Sequence, residues 1–187
     1  MESRNIENRF RFCLQAAGLG QSDVFNLEPI GYFEAPASRS HHLNRKGGLV
    51  EHSVNVAEKL AAMSEALDVP WMRPESPYLV GLLHDLIKCQ CYIAEKAEAV
   101  GVKWNYVQPE FPGHGIGSSL IAQALGIQLN EPEVMAIVYH MGTFNIGKEY
   151  RKEEFEKALG KYGEFILATH AADWYASIQE GKAGCGG

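Results

Sequence analysis

The chain has 187 residues, 46% of them hydrophobic and 21% charged, with a formal net charge of −6. Such a chain suits one globular domain with a real core, and its acidic balance argues against a broad basic face for duplex nucleic acid, though not against a nucleotide in a local pocket. No apolar run reaches the ~18 residues of a membrane span, and no signal peptide opens the sequence. Cys13, Cys89, Cys91 and Cys185 show neither a CxxC pair nor the density of a secreted scaffold. Cys89 and Cys91 offer C-x-C as a metal pair in principle; the plainer reading is reduced thiols in a cytoplasmic protein.

Ile6, Phe10, Cys13, Leu14 and Ala17 recur at helical spacing up to Gly18, which predicts a first helix. Residues 19–40 read as loop, with a short extended piece at Ile30 to Phe33. A second helix is expected from Leu49, with Val50, Val54, Ala57 and Ala61 on one stripe and His52 in its first turn. Ser76-Pro77 suits a helix start, and Leu79, Leu82, Leu83 and Leu86 carry that helix through His84-Asp85 towards Lys88. Residues 90–99 look helical, and the prolines and aromatics of 101–113 suggest a loop or small hairpin. A helix from His114 ends at Gly126, and Asn130 with Glu133 marks a capped start for the next, which runs to His140. A charged helix over 149–159 and a last one from Tyr162 to Gln179, stopped by Gly181, complete the chain, with 181–187 as a frayed end. The expectation is an all-α, single-domain protein spanning 1–187.

His84-Asp85 is the conspicuous pair, because His and Asp are costly in an apolar helix unless something pairs with them. A divalent metal ion does so, since imidazole nitrogen and carboxylate oxygen both ligate such ions. The candidate ligands are His52, His84, Asp85, His114, His140 and Asp173, with successive positions 26 to 33 residues apart when His84-Asp85 counts as one. Each falls on or beside a different predicted helix, which is how a bundle assembles a site in its interior.

The order His, His-Asp, His, His, Asp resembles the HD-domain metal-dependent phosphohydrolase superfamily, in its branch with two metals. The flanking stretches Gly47-Gly48-Leu49-Val50-Glu51-His52-Ser53, Leu83-His84-Asp85-Leu86-Ile87-Lys88, Gly113-His114 and Ala171-Ala172-Asp173 carry the resemblance over about 38–178. The segment from His41-His42 to His52 is similar to the HD domain of bacterial three-prime-to-five-prime exoribonucleases, whose OB domain has no counterpart here. Ile87 stands where glycine is common in the motif. The resemblance implies that His52, His84, Asp85 and Asp173 hold a first metal, and that Asp85 bridges to a second completed by His114 and His140. Paired ions lower the pKa of a shared water and clamp phosphoryl oxygens. Mixed nitrogen and oxygen ligation suits manganese, iron, cobalt, nickel or zinc alike.

The resemblance also gives Lys88 a catalytic and phosphate-binding role; read from the sequence alone, it is equally a solvated lysine at a helix end. His42, Asn44, Arg45 and Lys46 lie in a Gly-ended loop before His52, and His42, Arg45 and Lys46 are the further candidates for binding substrate. His170, one turn before Asp173, is an ordinary histidine, a seventh ligand or a support to a ligand, and His41 is ordinary. Trp104, Tyr106 and Phe111 either stack a base or pack the fold; Trp174 reads as core. The function expected is hydrolysis of a nucleotide, dinucleotide or short oligonucleotide. A single-metal nucleotidase or pyrophosphohydrolase and a non-catalytic nucleotide-binding module are the alternatives.

Overall fold

The computed structural model of the protein describes residues 2–39, 43–95, 103–111 and 113–184. Helices α1 (Glu2–Ala16) and α2 (Gln21–Leu27) precede α3 (Gly48–Ala66), α4 (Ser76–Leu83) and the short α5 (Lys88–Cys91). Strands β1 (Tyr92–Glu95) and β2 (Lys103–Tyr106) follow, then α6 (His114–Ala124), α7 (Glu131–Tyr139), a 3₁₀ turn (Gly142–Asn145) and α8 (Lys152–Gly184). The fold is all-α with one small antiparallel hairpin. No helix among the described residues is long and apolar enough to cross a membrane.

The core is helix against helix. α3 packs on α4 and α8, and α7 packs on α8 and α6, burying Leu49, Val54, Leu60, Leu79, Leu83, Ile137 and Ile166. Two glycines set how closely these helices approach. A Cβ on Gly81 of α4 would lie 2.3 Å from the Ala57 Cα of α3, and one on Gly115 of α6 would lie 2.3 Å from the Ile137 carbonyl of α7. Real Cβ atoms do not sit that close, so glycine at both positions lets backbones touch. The two contacts bring together the segments that bear His52 and His84, and those that bear His114 and His140.

Four expectations need correction. Residues 21–27 form α2, because Asp23 Oδ2 accepts the Gly20 N–H at 2.8 Å and closes the first turn, and no strand forms at Ile30 to Phe33. α4 stops at Leu83, and beyond it the backbone tightens to i→i−3 bonds from Leu86, Cys89 and Gln90. Residues 92–95 are strand, not helix: Tyr92 faces Tyr106, with ring centroids 6.2 Å apart, and such cross-strand aromatic pairs favour a hairpin. The hairpin thus starts earlier than 101. Finally, Gly181 does not end the last helix, which runs to Gly184; the two expected C-terminal helices are both present and meet at a kink at Tyr162 (φ −126°, ψ 17°) within α8.

Glu133 caps α7 and is fully buried. It accepts hydrogen bonds from Arg73 Nε at 2.7 Å and Nη2 at 2.8 Å, from Ser76 Oγ at 2.6 Å and from Asn130 N–H at 2.8 Å. Arg73→Met removes the one cation paired with this carboxylate among the described residues, while the carboxylate stays buried. It should therefore cost about 3–5 kcal/mol in urea unfolding; a loss under about 1 kcal/mol, the range of exposed ion pairs, would contradict the assignment.

Candidate metal centre

His52 lies on α3, His84 and Asp85 in the turn after α4, His114 opens α6, His140 follows α7, and Asp173 lies on α8. The structure brings all six together. His52, His84 and His140 are completely buried and Asp85 is 2% exposed. The carboxylate of Asp85 divides the cluster. Its Oδ2 lies 3.3 Å from His84 Nε2 and 3.5 Å from His52 Nε2, while its Oδ1 lies 2.5 Å from His114 Nε2 and 3.7 Å from His140 Nε2. Asp173 Oδ1 stands 3.2 Å from His52 Nε2 and 3.9 Å from His84 Nε2.

The turn at residues 84–87 answers the geometric problem of adjacent His and Asp. His84 Nδ1–H donates to the Gly81 carbonyl at 2.9 Å, which fixes the ring against the end of α4. Tyr32, itself buried, donates its hydroxyl to the Leu82 carbonyl at 2.9 Å and anchors the same segment. His140 repeats the device at the end of α7, its Nδ1–H donating to the Ile137 carbonyl at 2.7 Å. Both rings are thereby held in the tautomer whose Nε2 carries the lone pair.

Those two Nε2 atoms are buried and have no hydrogen-bond partner among the described residues. Left unsatisfied, each costs about 1–3 kcal/mol, and a divalent ion supplies what they lack. Three groups have ligand atoms within 4.8 Å of one another: His52 with His84 and Asp85, His84 with His140 and Asp173, and Asp85 with His114 and His140. The donor set fits a divalent ion.

Charge is arranged to keep the carboxylates ionised. Burial would raise the Asp85 carboxyl, but the Lys88 ammonium 2.5 Å from Oδ2, with His84 and His114, holds it well below the usual carboxylate range. Asp173 is lowered likewise, burial being outweighed by the His52 hydrogen bond. His52 is raised: burial would lower it, and Asp173, Asp85 and Glu180 reverse that. A metal ion bound there would displace a proton, so its affinity should weaken as pH falls.

Lys88 is buried against Asp85 rather than solvated, and it lines a cavity of about 350 Å³ together with His114. Arg45 and Lys46 pair with Glu51 and Glu34 respectively and line a different cavity, beside Arg9 and Phe33. His41 and His42 lie outside the described residues. His170 donates Nδ1–H to the His140 carbonyl at 2.6 Å, so it steadies the segment that bears a candidate ligand. Trp174, expected in the core, is 50% exposed and packs on Phe144 and His170, because the buried face of α8 runs through Ala172 and Ala176. Burial pushes the Cys89 thiol up to about 12 and the Cys91 thiol up to about 11, so both stay protonated, and neither sits in a metal-ligand group among the described residues.

Glu180 escaped the sequence reading. It is 7% exposed and accepts the His52 Nδ1–H at 3.0 Å and Asn55 Nδ2–H at 2.7 Å. Asn55 in turn accepts from Arg9 Nη2 at 2.7 Å. A carboxylate behind a histidine orients the ring and raises its basicity as a ligand. The available signal was spacing: Glu180 lies two helical turns after Asp173, on the same face of α8.

A helical bundle with a buried histidine and aspartate cluster at its centre is an arrangement that could hold a metal ion inside the core. The family model described as HD domain matches residues 49–174, and the chain belongs to that family. HD domains are in general metal-dependent hydrolases, and the cluster is compatible with metal binding. No curated protein and no solved structure matched the chain.

Proposed function

We propose that the protein is a phosphohydrolase with a two-metal centre that cleaves a phosphate ester of a nucleotide, dinucleotide or short oligonucleotide. One observation supports this reading above all: Asp85 turns one carboxylate oxygen to His52 and His84 and the other to His114 and His140. A carboxylate so placed serves both halves of a binuclear site. His52, His84, Asp85 and Asp173 would hold one ion, and Asp85, His114 and His140 the other. Bound ions supply an activated water and polarise the phosphoryl group. Lys88, kept charged by Asp85 and lining the adjoining cavity, steadies the phosphoryl oxygens.

The test is elemental analysis of protein purified without chelator or nickel resin. About two transition-metal ions per chain are expected, falling to about one in His114→Ala and in His140→Ala. About one ion in the wild type, untouched by those changes, would favour a mononuclear nucleotidase. No ion after addition of manganese or iron would overturn the hydrolase reading.

A further inference from the structure

The cavity beside Lys88 and His114 is walled on one side by the hairpin. In the register Tyr92↔Tyr106 and Ala94↔Trp104, these four residues share one face of the ribbon. Trp104 is buried and roots the hairpin, whereas Tyr92 and Tyr106 line the cavity and Tyr106 is 50% exposed. Gln108, Lys148 and Glu149 line it as well, and Glu149 Oε2 would lie 3.3 Å from a Cβ on Gly113, the residue before His114. Glu149 Oε2 is a buried acceptor with no hydrogen-bond partner among the described residues.

The lining carries two chemically different kinds of group. Lys88 offers an ammonium, beside the candidate ligand His114, which suits a phosphate. The Glu149 carboxylate repels a phosphate and needs an O–H or N–H donor. A volume of about 350 Å³ lies in the small-ligand range of roughly 300–1,000 Å³. A molecule that combines a phosphate with a flat ring and hydroxyl or amino donors matches this mixed lining.

We propose that this cavity binds the nucleoside part of the substrate, with Tyr106 lying against the base and Glu149 accepting hydrogen bonds from sugar hydroxyl or base amino groups. The inference rests on the phosphohydrolase reading, and it adds the hairpin and Glu149 as the elements that select a nucleoside. Glu149 and Tyr106 would act as specificity residues and are not among the candidate metal ligands.

Calorimetric titration of the manganese-loaded protein tests this with adenosine, guanosine, cytidine and uridine 5′-monophosphates against inorganic phosphate and phenyl phosphate. At least one nucleotide should bind about tenfold or more tightly than phosphate. Tyr106→Leu and Glu149→Leu should each remove most of that margin, and Tyr106→Phe, which keeps the ring, should preserve it. Tyr106 is half exposed, so its variants test the site without depending on a core substitution. Nucleotides that bind no better than phosphate, or an unchanged margin in both leucine variants, would overturn the inference while phosphate binding leaves the hydrolase reading standing. Loss of metal and phosphate binding together in the wild type would overturn both.

Discussion

Asp85→Asn should lower hydrolysis of bis(p-nitrophenyl) phosphate or of any nucleotide substrate at least about 10³-fold, equivalent to about 4 kcal/mol of barrier. The carboxamide has nearly the shape of the carboxylate but no charge, and its NH₂ end cannot ligate an ion. Because Asp85 faces both candidate groups, metal content should fall below that of either histidine variant. Stability should suffer less than activity. Lys88 is 13% exposed and loses its partner at 2.5 Å, so a cost near the lower end of the 3–5 kcal/mol for a broken buried pair is expected, or roughly 6–12 °C in Tm. Asp85→Ala removes the packing as well and is the poorer test. Wild-type turnover and full metal content in a folded Asp85→Asn protein would refute the bridging role.

How much of this was legible without coordinates depends on the kind of signal. Helices α3, α6 and α7 were readable because their apolar stripes act locally; in α7 Asn130 and Glu133 also form the expected cap, with Glu133 N–H donating to Asn130 Oδ1 at 3.1 Å. The six candidate ligands were readable because polar residues of metal-ligating type recur on otherwise apolar helices. What stayed hidden were features decided by tertiary contact. The strand at residues 92–95 has too few residues to show a period, and its partner begins only after the seven residues 96–102. Glu180 looks like an ordinary surface glutamate on a charged helix end until α8 packs on α3 and turns it to His52. α8 also runs past Gly181, where a local stop was expected. Trp174 misled in the opposite direction, since a tryptophan beside Asp173 reads as core, yet the helix turns it to the surface.

Gly115→Ala and Gly81→Ala should each disrupt a different half of the centre, although both add only a methyl group. In a free helix, alanine is favoured over glycine by about 1 kcal/mol. Gly160 of α8, with nothing within 4 Å of its would-be Cβ, should realise that gain when changed to alanine. At Gly115 the same atom meets the Ile137 and Val138 carbonyls at 2.3 and 2.4 Å, and at Gly81 it meets the Ala57 backbone at 2.3 and 2.6 Å. These neighbours are backbone, so no side-chain rotation relieves the clash and the helices must separate. Overpacking of this kind costs about 1–3 kcal/mol, enough to outweigh the propensity gain. Separation of α6 from α7 draws His114 away from His140, whose rings now stand 5.5 Å apart. Separation of α4 from α3 parts His84 from His52, at 5.3 Å. Urea unfolding with metal counting should therefore give a stabilised Gly160→Ala and two destabilised variants. On the two-metal reading, Gly115→Ala should lose the ion that His114 would hold, and Gly81→Ala the one that His52 and His84 would hold. If Gly81→Ala and Gly115→Ala matched Gly160→Ala in stability and kept full metal content, the close helix contacts would not be what assembles the centre.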